Sequence, residues 1–397
     1  MLLALAYAAF ILLATLLPGP PLTEPSTPFC IVCGSRGLAD FALNILFFVP
    51  LGFLLRRPLG WRRALLAGVL LSGGVELAQL AIPGRYSTLG DFVTNSAGTG
   101  LGLILARARL TVLLRPAPRV GRLLATAWTT LVVAGLVAAA LLFQPSIPRR
   151  PLYGQWTHDL GRYEVYGGRV LGAWIGGRAA PDGRLKASGP MRDSLQRGTP
   201  IRVRFAAGPP PPDLAPIFSV YDDHQKEVLL IGADGPDLVM TLRRRADDAR
   251  LDRPEMRVRG ALEGVAAGDT VEIDARPVRP GSYRLAVRSA VGSVASAVRG
   301  PTLGRSWSLL LFSGCWPGWW IGVLDLVWLA VLAVPVGWWS PRVALLGVCG
   351  GAYLAALGMV PLLIPILPTP LVQYLAAGFG LLAGWWGSRR HAPGPVT

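Results

Sequence analysis

Seven polar side chains interrupt hydrophobic sequence in the first hundred residues, and their types suit capture of a charged or hydroxylated head group. Asp40 and Asn44 are four apart, Glu76 and Gln79 three apart, and Asp91 and Asn95 four apart, so each pair shares a helix face. Arg85 stands in the short loop Pro83-Gly84-Arg85-Tyr86-Ser87. Ionisable and amide groups within apolar segments are costly, so they mark a site or a locked helix contact. As a binding site, Arg85 suits phosphate or carboxylate, and the carboxylates suit sugar hydroxyls or an amine. As an enzyme, Glu76 or Asp91 would act as general acid or base while Arg85 holds an anion. As a scaffold, Arg85 would neutralise Asp91 or Glu76 and the amides would cross-link helices. Gly98, Gly100 and Gly102 follow on the same segment and would let a neighbouring helix or lipid chain come close.

No local motif supports metal, serine-hydrolase, nucleotide or dinucleotide chemistry. His158, His224 and His391 all lie away from the polar cluster, and no metal or cofactor is expected. Cys30-Ile31-Val32-Cys33 has the spacing of a redox pair, read here as a possible local disulfide, while Cys315 and Cys349 read as small apolar residues. Asp222, Asp223 and Asp234 offer oxygen ligands without a fixed-spacing calcium loop. Trp156, Tyr163, Tyr166 and Trp174 could stack on sugar rings or fill a core.

The elements that position these groups are mostly membrane helices. Of 397 residues 52% are hydrophobic and 16% charged, which favours a membrane protein over a soluble one. Apolar runs at Leu2 to Leu17, Phe41 to Leu55, Ala64 to Ile82, Phe92 to Leu105, Leu123 to Phe143, Trp319 to Trp339, Val343 to Ile364 and Leu371 to Trp386 predict an α-helical polytopic membrane protein with about eight transmembrane helices. Between Arg149 and Arg305 the chain is charged and rich in glycine and proline, with short β-prone patches such as Ile201-Arg202-Val203-Arg204-Phe205. An inserted all-β sandwich follows. The expected domains are a membrane domain at 1–144, an extracytoplasmic β-sandwich at 145–315, three further helices at 316–388 and a tail at 389–397.

The net charge of +16 comes from arginines that lie largely beside hydrophobic segments, so it speaks for helix orientation and anionic lipid rather than nucleic acid. Arg56, Arg57, Arg62 and Arg63, the 107–122 loop and Arg389-Arg390 would be cytoplasmic, with both termini. The insert would then lie outside, and the seven polar residues at the outer leaflet.

Asp40-x3-Asn44, Phe48-Val49-Pro50-Leu51-Gly52-Phe53-Leu54-Leu55, Glu76-x2-Gln79, Arg85 and Asp91-x3-Asn95-x2-Gly98-x3-Gly102 resemble the VanZ-like membrane proteins over about Met1 to Leu110. That resemblance implies membrane placement and a cell-envelope role linked to teicoplanin susceptibility, and no particular reaction. The family often carries a histidine near the start of the second span, where Phe41, Ala42 and Leu43 stand here. The stretches 216–223 and 238–243 of the insert are similar to laminin-G or concanavalin-A-like sandwiches, which implies carbohydrate or protein ligands. Together these readings predict a protein that binds a membrane lipid or lipid-linked cell-wall precursor at its polar cluster, with glycan a possible partner of the sandwich. They leave the oligomeric state open.

Overall fold

The computed structural model describes residues 1–18, 31–32, 34–85, 87–107, 114, 116–160, 163–289, 292–314 and 316–390. Cys30, Cys33, Cys315, Tyr86 and His391 lie outside the described residues. The chain divides into two compact units. One comprises Met1–Leu124, Ala249–Asp252 and Trp386–Thr397, and the other Ala125–Asp248 and Arg253–Trp385.

The first unit is helical. α1 (Leu2–Leu16), α2 (Gly37–Gln79) and α3 (Leu89–Arg107) share a core of Ala4 and Ile11 from α1, Phe48, Leu51, Leu55 and Ala64 from α2, and Leu103 from α3. α2 is not one straight rod. Gly60 sits at φ 72° between Pro58 and Trp61, a conformation glycine adopts without penalty and which breaks the helical hydrogen-bond run. The two limbs on either side both pack on α3: a Cβ on Gly52 would collide with the Thr99 carbonyl, and one on Gly68 with the Thr99 side chain. The segment 249–252 belongs to this unit. The Leu38 and Ala39 N–H groups donate to the Arg250 carbonyl, and Arg36 pairs with Asp252 at 2.8 Å.

The second unit combines helices with two antiparallel sheets. Among the described residues the strands are β1 (Leu152–Trp156), β2 (Arg169–Ile175), β3 (Arg178–Ala179), β4 (Gly183–Arg184), β5 (Ile201–Ala206), β6 (Ala215–Asp222), β7 (Glu227–Asp234), β8 (Asp237–Leu242), β9 (Met256–Val258), β10 (Thr270–Arg279), β11 (Ser282–Ser289) and β12 (Gly292–Arg299), in one sheet of order β4-β1-β6-β7-β8-β9 and another of order β12-β11-β10-β5-β2-β3. Their inner faces share one core, in which Phe218, Ile231 and Met240 of the first sheet meet the cluster of Val203, Phe205, Ile273 and Leu285 from the second, so the insert is a two-layer sandwich. The sheets differ outside. β6 (Ala215–Asp222) is buried at every position, whereas β5 (Ile201–Ala206) alternates buried and exposed; the central strands of the first sheet are covered on both faces and the second sheet presents one to solvent.

α4 (Pro118–Leu142), α7 (Gly318–Trp339), α8 (Val343–Leu363) and α9 (Leu371–Arg390) supply the remaining long helices, while α5 (Ser188–Arg197) and α6 (Arg245–Asp248) are short elements of the sandwich. Trp128 donates to the Leu332 carbonyl at 2.9 Å and Tyr353 to the Leu329 carbonyl at 2.9 Å, which ties α4 and α8 to α7. A 3-10 helix, Leu303–Leu309, precedes α7. Arg305 binds Asp325 of α7 through two bonds of 2.9 and 3.1 Å, and Trp307 donates to the same carboxylate at 2.7 Å.

The expected count of about eight spans is not what the helices support. Four among the described residues are long and apolar enough to cross a membrane: α2, α4, α7 and α8. The reasons are physical. Two expected spans are the limbs of α2, and α1 has only 15 residues against about 20 for a full crossing. α3 carries Asp91, Thr94, Asn95, Ser96 and Thr99 within its 19 residues.

Candidate functional site

The polar cluster is assembled by the two limbs of α2 and the start of α3. Thr88 precedes α3, and its hydroxyl accepts from the Asp91 N–H at 3.0 Å, satisfying one of the free donors at the helix start. In the common reciprocal cap, the acidic residue three positions on would take the N–H of the capping residue. Here that Thr88 N–H goes instead to Glu76 of α2 at 2.9 Å. Asp91 accepts from Asn44 Nδ2 at 2.6 Å. Glu76 and Asp91 interact electrostatically, as do Asp40 and Asp91. Asp40, Asn44, Glu76 and Asp91 are therefore neighbours drawn from three helical segments.

Asn95 lies one turn below Asp91, with 4% exposure, and its Oδ1 has no hydrogen-bond partner among the described residues. Ser72, Thr94 and Thr99 are buried nearby on the same helices. Thr94 and Thr99 return their hydroxyls to backbone carbonyls of their own helix at 2.9 and 3.1 Å.

Arg85 and Gln79 depart from the expected arrangement. Arg85 donates Nε to the Leu17 carbonyl at 2.7 Å and Nη2 to the Ala14 carbonyl at 3.0 Å, and Gln79 Nε2 donates to the Thr15 carbonyl at 3.0 Å. These are the free carbonyls at the end of α1, where the helix dipole also favours a cation. Among the described residues Arg85 makes no ion pair with Asp91 or Glu76, and its Nε and Nη2 hold the end of α1. The glycines also divide: a Cβ on Gly98 or Gly102 would strike the Ile45 or Val49 carbonyl of α2, whereas one on Gly100 would meet nothing.

Residues 6–114 match the VanZ/LLP1 family model. The VanZ-like segment therefore holds most of α1, both limbs of α2, α3 and all seven polar candidates. The apolar helices and this match agree on a membrane protein, followed in the chain by a β-rich region. No curated protein and no solved structure matches the chain.

The sandwich holds a separate cleft of about 330 Å³, lined among others by Tyr153, Gln155, His158, Asp182, Tyr221 and Asp223. None of Trp156, Tyr163, Tyr166 and Trp174 lines it. Tyr166 is a core residue whose phenol is pushed up by burial. Trp156 donates to the Ala180 carbonyl at 3.1 Å, and Tyr163 donates to Glu227 at 2.9 Å. Tyr153 and Tyr221, paired across β1 and β6, are cleft aromatics that sequence reasoning missed, because their meeting depends on strand pairing.

The three aspartates considered for calcium are otherwise engaged. Asp222 accepts the His224 and Lys226 N–H groups at 2.9 Å each, Asp223 faces Arg150 at 3.4 Å, and Asp234 pairs with Arg257 at 2.6 Å. Among the described residues no group of three His, Cys, Asp or Glu side chains could hold a metal ion.

Proposed function

We infer that this chain is a bacterial cell-envelope protein that binds the head group of an amphiphilic envelope lipid or lipid-linked cell-wall intermediate at Asp40, Asn44, Glu76, Asp91 and Asn95. The observation carrying this reading is Asn95: a buried amide oxygen without a partner among the described residues costs about 1–3 kcal/mol, and it sits one turn below Asp91, whose carboxylate interacts with those of Glu76 and Asp40. Such a group of acceptors suits a ligand that donates, through sugar hydroxyls or an amine, better than one that brings a phosphate. Arg85 and Gln79 support the site by holding the end of α1.

In this reading both termini are cytoplasmic, the polar cluster lies in the outer leaflet and the sandwich lies outside. In α3 the polar Thr94, Asn95 and Thr99 are then buried against neighbouring helices, while the exposed leucines of α1 face lipid. A laminin-G-like or concanavalin-A-like role for the sandwich would place glycan in the Tyr153–Tyr221 cleft. The VanZ-like segment favours a link to glycopeptide susceptibility. The interactions among Glu76, Asp91 and Thr88 also allow a purely structural reading, in which the cluster locks α2 to α3.

Native mass spectrometry of the detergent-purified protein separates the two, with wild type compared with Asp91→Asn and Glu76→Gln. Both substitutions keep shape and remove charge. A selective lipid adduct retained by wild type and lost in both variants, at unchanged melting temperature, is the expected result. No selective adduct in a well-folded wild type would leave the structural reading.

A further inference from the structure

The open face of the second sheet carries an array of arginines that neither the fold nor the polar cluster uses. Along β5, Arg202 and Arg204 point outward between the buried Ile201, Val203 and Phe205. β10 (Thr270–Arg279) presents Glu272, Asp274 and Arg276 on that face, and β11 (Ser282–Ser289) presents Arg284 and Arg288. The register aligns them in rows: Arg204, Glu272 and Arg288 in one, Arg202 and Asp274 in the next, and Arg276 directly opposite Arg284 in the last. Five arginines against two carboxylates leave a surplus of three positive charges on three adjacent strands.

The two acids do not quench the array. Asp274 is bound by Arg276 at 2.8 Å, and Glu272 reaches only Arg202, at 3.5 Å. Arg204, Arg284 and Arg288 make no ion pair or side-chain hydrogen bond among the described residues and are exposed. Asp274 offsets Arg276, and Arg284 stands opposite that pair with no carboxylate of its own among the described residues. Neighbouring strands lie about 4.8 Å apart and successive outward residues about 6.7 Å apart, so the guanidinium groups form a flat grid rather than a pocket. Such a grid matches a chain of closely spaced anions better than one small ion. Guanidinium forks favour phosphate oxygens in particular. Trp174 stands opposite Arg202 on β2 and puts an aromatic ring at the edge of the grid.

We propose that the exposed face of β5, β10 and β11 binds a phosphate-bearing polymer, through Arg202, Arg204, Arg276, Arg284 and Arg288. This site is distinct from the polar cluster of the VanZ-like segment and independent of what that cluster binds.

The test uses the full chain in nanodiscs of zwitterionic lipid and measures binding of fluorescent long-chain inorganic polyphosphate across a salt series. The expected result is salt-dependent binding that neutral dextran, and orthophosphate at matched phosphate concentration, do not compete away. Arg204→Gln with Arg288→Gln should weaken it about tenfold near ~0.1 M salt and lower the log–log salt slope by about 1.4. Arg284→Gln alone should weaken it about threefold, and keeps the test usable if the first pair disturbs folding. Arg184→Gln with Arg197→Gln removes equal charge elsewhere on the sandwich and should leave binding within about twofold. Equal weakening by this control pair, absence of polyphosphate binding, or binding of phosphatidylglycerol vesicles without binding of polyphosphate would each overturn the assignment.

Discussion

Asp325→Asn is expected to lower the stability of the second unit substantially although the side chain barely changes in size. Asp325 is 7% exposed on α7 and receives three hydrogen bonds, two from Arg305 at 2.9 and 3.1 Å and one from Trp307 at 2.7 Å. Asparagine can still accept from Trp307 and from Arg305 Nε, but its amide would face Arg305 Nη2 donor to donor. A partly buried guanidinium then loses its counter-charge. Breaking a buried pair costs about 3–5 kcal/mol; Arg305 keeps 23% side-chain exposure, which lets water recover part of that and sets the expectation at about 3 kcal/mol. For a unit of this size, that corresponds to a fall of about 6–12 °C in the unfolding midpoint. Tryptophan fluorescence during heating of the detergent-purified protein reads it directly. The double variant Arg305→Leu with Asp325→Leu removes both charges and should recover most of the loss, giving a coupling of about 2 kcal/mol or more. A neutral Asp325→Asn, or additive losses in the double variant, would refute the view that this ion pair fixes the 3-10 segment to α7.

Other substitutions test separate parts of the structure. Gly98→Ala and Gly102→Ala should each cost about 1–3 kcal/mol because their methyl groups meet α2 carbonyls, whereas Gly100→Ala should be neutral or stabilise by up to ~1 kcal/mol; thermal melts of the three compare them. Arg244 is fully buried and donates to the carbonyls of Phe143 and Gly281, and burial lowers its pKa to about 10. Arg244→Ala leaves both carbonyls unpaired and opens a cavity, so a loss of about 3 kcal/mol or more is expected in the same assay. Burial raises the Tyr166 pKa above 10, so the folded chain holds a proton that the unfolded chain releases. Stability from this group is intact below pH 10 and is lost as pH rises further, and the difference between wild type and Tyr166→Phe should shrink across that range.

The helical spacing of the polar residues was readable because i and i+4 fix a shared face whatever the tertiary structure. Hence Asp40 with Asn44, and Asp91 with Asn95, were legible as pairs, and Asn44 and Asp91 do meet. The role of Arg85 was not legible, since the carbonyls it binds at Ala14 and Leu17 belong to the backbone and leave no trace in residue type. The Thr88-x-x-Asp91 cap was visible in principle, but its reciprocal donor is taken by Glu76, twelve residues earlier. The reversal of α2 at Gly60 was implied by Pro58 and four flanking arginines, and the backbone angles at Gly60 place the break between the two limbs. In the sandwich, alternation gave β5 its inward and outward faces, yet the row of Arg204, Glu272 and Arg288 depends on strand register, which no single strand encodes.

The most direct test of the head-group reading is a cryo-electron microscopy map of the protein in nanodiscs made with its native envelope lipids. The expected result is non-protein density within about 3.5 Å of the Glu76 and Asp91 carboxylates and of Asn95 Oδ1, lost in Asp91→Asn. A cluster filled only by its own side chains, with Asn95 turned to a protein donor, would contradict it.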